Sequence, residues 1–333
     1  MSVTITGGIT ISSTGGVSFI LPPSATNGWF GGGYANQVTT VSRITYATDT
    51  STATTRGPLA FGQQGAGATG NSNYGWYGAG QNTAGNTQRD VNLITYATDT
   101  ATAVTTGLLA YSSYLLAAAG TSSYGWFAGG KTPAGDPGTG LNTISKIDYS
   151  ITTATATSRG TLSTGRWALS STSDNITYGW FAGGNPGPAV AKNTVSTIDR
   201  ITYATDTATA SVRGPLNAVK YGTAGAGNMV NGWFAGGTID STAPASVYTT
   251  VERITYATDT VTASVRGPLV TKRFNAGGTG NIYYGWFAAG YAGPGTNNIS
   301  SVNRIDYSND TVTATVRGNI GRNLYQAAAS ANT

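Results

Sequence analysis

Six near-copies of one seven-residue stretch recur through this chain of 333 residues. They read NGWFGGG at Asn27–Gly33, YGWYGAG at Tyr74–Gly80, and YGWFAGG at both Tyr124–Gly130 and Tyr178–Gly184. The last two are NGWFAGG at Asn231–Gly237 and YGWFAAG at Tyr284–Gly290. Their tryptophans, Trp29, Trp76, Trp126, Trp180, Trp233 and Trp286, lie 47, 50, 54, 53 and 53 residues apart. A unit this small cannot bury its apolar surface alone, so it must stack on its neighbours.

The unit at 220–267 shows what stacks. Lys220–Gly227 is small-residue rich and reads as an inner strand, a; Gly232–Gly237 is strand b. A variable loop leads to strand c at Val251–Tyr256, a tight turn at Ala257–Thr260, and strand d at Val261–Arg266. Trp233 and Phe234 are consecutive, so they point to opposite faces of strand b. Both faces are therefore buried, as they are when a sheet lies between two others. Gly and Ala in strand a suit strands that converge on an axis, and the Thr-rich strand d suits a partly wet rim. The expected fold is all-β: a six-bladed propeller of four-stranded antiparallel blades. The six tryptophans are its repeated core, between blades.

Composition narrows the chemistry. There is no Cys and no His, which removes disulfides, thiolate metal sites and the commonest general base. The net charge of +5 comes from basic residues spread once or twice per repeat, not clustered as nucleic-acid binding requires. No nucleic-acid partner, cofactor or metal is expected, and no enzymatic activity. No apolar run is long enough to span a membrane, and Met1–Thr10 does not read as a secretory signal.

The first repeat begins at strand b and lacks a strand a of its own. Asn323–Asn332 reads as a strand a with no b after it. The two chain ends should therefore share one blade, within a propeller spanning 26–333. Residues 1–25 alternate apolar and polar residues around Gly7-Gly8 and Gly15-Gly16, and read as an extended arm. The arm either packs on its own ring or docks on a partner by strand addition.

The order of these segments resembles the kelch repeat. Gly pairs end strand b at Gly32-Gly33, Gly129-Gly130, Gly183-Gly184 and Gly236-Gly237, and a Tyr closes strand c at Tyr46, Tyr96, Tyr149, Tyr203, Tyr256 and Tyr307. The kelch Trp stands in the outer strand, whereas here it stands in strand b, so the chain is kelch-like and not a standard member. The wording YGWFAGG … RITYATDTATASVRGPL also resembles structural proteins of marine tailed phages, particularly cyanophages. That resemblance implies a virion location as part of a tail, fibre or capsid, assembly with other virion proteins through residues 1–25, and host-surface attachment. The alternative is a carbohydrate- or receptor-binding propeller outside a virion.

Recognition on a regular scaffold lives in its variable loops. The b–c loops vary most, and they supply Tyr34, Lys131, Lys192 and Tyr291 as candidate ligand or receptor contacts. Trp167 joins them, because it replaces the strand-a Tyr seen at Tyr114 and Tyr221 and should face the channel mouth. Two further rows follow the repeat. Arg or Lys starts strand c and Arg ends strand d, except at Leu93 and Thr106 in the second repeat. Asp49, Asp99, Asp206, Asp259 and Asp310 occupy the c–d turn, with Thr152 in the third. The Arg rows are expected to hold loop carbonyls or a neighbouring turn Asp, and the Asp residues to cap their own turns.

Overall fold

A computed structural model describes residues 24–35, 38–132, 139–151, 153, 155–187, 193–294 and 298–332, with the backbone of Gly8–Ile11 and Val17–Ile20. Six four-stranded antiparallel sheets stand in a ring, each ordered a-b-c-d from the inside out. Blade 1 takes strand a from Ala328–Ala331 and strands b, c and d from Asn27–Gly31, Val41–Thr45 and Thr54–Arg56. Its counterparts of strand b are Tyr74–Gln81, Tyr124–Ala128, Tyr178–Ala182, Asn231–Thr238 and Tyr284–Ala288 in blades 2 to 6.

The chain ends close the ring as expected. Ala328 pairs with Gly31 and Ala331 with Gly28. Asn332 clasps the seam: its Oδ1 accepts from the backbone N–H of Thr26 and of Asn27, each at 3.0 Å.

All six repeat tryptophans are buried, and each stacks on the strand-c Tyr of the next blade. Trp29 meets Tyr96 at 3.8 Å, Trp76 meets Tyr149 at 3.7 Å, and Trp126 meets Tyr203 at 4.1 Å. Trp180 meets Tyr256 at 4.0 Å, Trp233 meets Tyr307 at 3.8 Å, and Trp286 meets Tyr46 at 3.7 Å, across the seam. The Phe or Tyr beside each Trp points the other way, into the preceding interface; Phe234, for example, packs with Trp180. One dipeptide thus fills two interfaces.

Strand d is shorter than its sequence pattern suggests in every blade but the sixth, where it runs Thr315–Leu324. In blade 5 it is Ser264–Arg266, and the strand-c Tyr256 opens a 3-10 turn, Tyr256–Thr258. That turn swings the Asp away from its own backbone, so the expectation of self-capping fails. Asp259 Oδ2 instead accepts from Trp180 Nε1 at 2.8 Å and Arg200 at 3.1 Å, with Arg213 Nε at 3.6 Å. Trp29, Arg43 and Arg56 meet Asp99 in the same way, and Trp286, Arg304 and Arg317 meet Asp49. The basic rows therefore bind neighbouring blades together, and no anionic ligand is needed to explain them.

In blade 2 the b–c connection is partly strand, because strands Tyr74–Gln81 and Thr87–Thr95 run on into it. Gln81 pairs with Thr87, so blade 2 extends a hairpin beyond the ring, turned by Gly85 at φ +81°. Gly8–Ile11 and Val17–Ile20 pair as a separate antiparallel hairpin within the N-terminal arm.

Candidate functional site

The strand-a starts and the residues after each Gly pair meet at one end of the ring. They form six backbone bridges or pairs, one per blade: Tyr325 with Tyr34, Gln64 with Gln81, Tyr114 with Lys131, Trp167 with Asn185, Tyr221 with Thr238, and Phe274 with Tyr291. All of these residues except Asn185 and Thr238 line a cavity of about 550 Å³ at the mouth of the channel. That volume lies within the usual range of small-ligand sites.

The lining is uneven around the circle. An arc of rings runs from Tyr34 to Tyr325 (5.0 Å between centroids), Tyr325 to Tyr291 (5.8 Å), Tyr291 to Phe274 (5.5 Å), Phe274 to Tyr221 (6.2 Å) and Tyr221 to Trp167 (5.3 Å). Lys131 continues it, its ammonium 4.4 Å from the Trp167 ring and 5.1 Å from Tyr114. Blade 2 interrupts the arc with an amide pair, where Gln64 Nε2 donates to Gln81 Oε1 at 2.6 Å. The mouth is a horseshoe of aromatic rings with a polar gap.

A closed circle of main chain forms its floor. The N–H groups of Gly65, Leu115, Ala168, Gly222, Asn275 and Gln326 each donate to the carbonyl of the preceding member, Gly65 donating to Gln326, at 2.6 to 3.0 Å. All six residues take positive φ, between +51° and +66°. Four of them are not glycine, and each such residue costs about 1–2 kcal/mol in that region. The circle recovers this through cyclic hydrogen bonds around the axis. Below it the channel is lined mostly by Gly, Ala and Ser residues of the inner strands.

Charge lies beneath the rings in blades 4 to 6. Arg166 pairs with Asp199 at 3.1 Å, both fully buried, and Lys220 pairs with Glu252 at 2.6 Å. Arg273 faces Asn303 at the corresponding place and bonds carbonyls of Ala289 and Ser301, each at 2.9 Å. Burial without a carboxylate pulls its pKa down to about 10. In Lys220, burial lowers the pKa and Glu252 partly opposes it. Each cation directly precedes a mouth ring, so its bonds fix Trp167, Tyr221 and Phe274 in place.

Two phenols of the mouth, Tyr221 and Tyr325, are held neutral. Burial raises the pKa of Tyr325, with neighbouring Tyr34 and Tyr291 adding to it. Burial also raises that of Tyr221, against a hydrogen bond with Ser241. Such phenols donate and accept hydrogen bonds at neutral pH; they are not poised as bases.

Four of the five expected contact residues converge here: Trp167, Tyr34, Lys131 and Tyr291. Lys192 lies outside the described residues. Trp167 is at the mouth but only 5% exposed, with Lys131 over one face and its Nε1 donating to the Gly187 carbonyl. It is a wall more than a platform, whereas Tyr34 is 40% exposed. The sequence reading missed Gln64, Phe274, Tyr325 and Gln326. The signal was the strand-a column itself, aromatic in five blades and Gln in one. No family model matches the chain, and no curated protein is significantly similar to it.

Proposed function

We propose that this propeller is a non-enzymatic recognition module that takes its target into the mouth of the ring. The observation that carries this reading is the aromatic and amide lining of a cavity of about 550 Å³. It opens where the b–c loops begin, on a scaffold whose other conserved-in-repeat groups are consumed by blade-to-blade contacts. Rigid rings on a stiff floor lose little entropy when a target settles on them. A receptor or glycan on a cell surface is the target class that suits such a mouth.

Attachment of labelled protein to candidate host cells tests it. Wild-type protein should bind, and Tyr34→Ala with Tyr291→Ala should bind at least tenfold less with unchanged folding. Equal binding by the double variant ends the reading.

A second reading places the propeller on a virion, as a tail, fibre or capsid component joined to other virion proteins through residues 1–25. It is supported by the resemblance of the repeat wording to phage structural proteins. The Gly8–Ile11 and Val17–Ile20 hairpin adds a two-stranded sheet whose edges suit strand addition. Immunogold labelling of purified particles should decorate them, and removal of residues 1–25 should abolish incorporation. Labelling of free protein alone ends this second reading without touching the first.

A further inference from the structure

We propose that the mouth is a saccharide site, and that Gln64 and Gln326 read hydroxyl groups of a neutral sugar seated beside Tyr34, Tyr291 and Tyr325. This rests on the recognition reading above and names the chemistry of its ligand. Gln64 is 7% exposed, and its side-chain oxygen is buried with no donor. The side-chain oxygen of Gln326 is in the same condition. Both residues line the mouth cavity. Buried acceptors are normally satisfied, so two left open in one cavity call for a ligand that brings donors.

The backbone of both residues is fixed, so only rotation of the side chain can bring either oxygen to a donor. Gln64 is tied to Gln81 through both backbone groups and through its own Nε2. Gln326 belongs to the backbone circle, donating to Asn275 and accepting from Gly65, at φ +60°.

Ligand class follows from the missing partners. A carboxylate or sulfate supplies acceptors and would leave both amide oxygens open. A sugar hydroxyl supplies the proton and can accept from a phenol in return. The C–H face of a pyranose matches the exposed ring of Tyr34 and its neighbours Tyr325 and Tyr291, whose centroids are 5.0 and 5.8 Å apart in sequence around the arc. Lys131 stands one blade round from Gln64, with its ammonium turned onto Trp167 and Tyr114.

Titration calorimetry with methyl glycosides of glucose, galactose, mannose and N-acetylglucosamine, and with glucuronate, tests the proposal. At least one neutral glycoside should bind with a Kd of millimolar or better. Gln64→Leu and Gln326→Leu should each weaken it tenfold or more; Leu115 shows that the backbone circle accepts leucine at the latter position. A deoxy glycoside lacking the hydroxyl in question should bind wild type and variant alike, which a merely structural role would not produce. The proposal is overturned if no neutral glycoside binds the folded protein, or if both variants keep full affinity. It is overturned too if only glucuronate binds and Lys131→Ala abolishes that. Cell attachment that depends on Tyr34 and Tyr291 yet is not competed by any glycoside would sink the sugar and spare the recognition reading.

Discussion

Between blades 4 and 5, one carboxylate does three jobs. Asp259 accepts from the Trp180 indole and faces Arg200 and Arg213. Between blades 2 and 3 the same places in the sequence hold Leu93, Thr106 and Thr152, and Trp76 alone remains. The Trp76–Tyr149 stack there is as close as any other, at 3.7 Å, and Leu93 packs against the surrounding apolar cluster. The difference teaches that the stack and the charge cluster are separable layers of one interface. The cluster is also all-or-none. A lone Asp or Arg left in a half-buried seam would lack its partner, whereas removing every charged member leaves ordinary apolar packing. That explains why the Arg rows and the Asp row break in adjoining repeats.

Alkaline unfolding should show the largest effect, because it attacks the layer common to all interfaces. Burial raises the pKa of Tyr46, Tyr96, Tyr149, Tyr203, Tyr256 and Tyr307 well above that of a free phenol. The unfolded chain releases these protons near pH 10 while the folded chain keeps them. Stability is then constant below pH 10 and falls above it, by up to about 1.4 kcal/mol per pH unit for each phenol. Urea melts from pH 8 to 11.5 check this; a flat profile would mean that the stacks are not dry.

Removing a stack should come next. Trp180→Ala and Trp76→Ala should each cost about 3–5 kcal/mol, since both delete a large buried ring. A much smaller loss at Trp76 would show that the interface lacking the charge cluster is also poorly packed. Asp259→Ala should cost less, about 1–3 kcal/mol for the orphaned indole N–H, plus the unpairing of two partly exposed arginines. Its counterpart at Thr152 should cost only a few tenths. Chemical denaturation of the pair measures the contrast directly.

Grafting sharpens the comparison from the other side. Leu93→Arg, Thr106→Arg and Thr152→Asp together should leave stability within about 1 kcal/mol of wild type. Leu93→Arg alone should be clearly worse than the triple. Additive behaviour across those variants would refute the all-or-none view.

A gain, not a loss, is expected at the phenol hydroxyls. Tyr46, Tyr149 and Tyr256 bond Thr279, Thr69 and Thr172 of the preceding blade's inner strand. Tyr307 meets Ala226 at that place, and its buried hydroxyl has no partner. Ala226→Thr should raise stability by about 1 kcal/mol. No gain in melting temperature would mean the cavity beside Tyr307 is too small for the added atoms.

Much of this was legible in the residues. The Trp-Phe dipeptide can only sit in a strand buried on both faces, so the period of Trp gave the blade count. The missing strand a at one end and the surplus at the other gave the closure. The tyrosine at the end of strand c was visible as a column, but its stacking partner was not, because the two lie on different blades. The turn Asp was misjudged for the same reason: a local rule assigned it to its own backbone, and the neighbouring indole took it.

The sequence by itself determined what repetition determines, which is a ring of six sheets with small residues inside and aromatics between. Periodic constraints are local, and each copy restates them. Tertiary structure alone decided the mouth. Strand-a starts from six distant segments meet there only when the ring closes, and only then do five aromatic residues and one glutamine become the rim of a single cavity. The open oxygens of Gln64 and Gln326 belong to the same class of fact. Whether a polar atom has a partner depends on everything around it, and no one repeat contains its own surroundings.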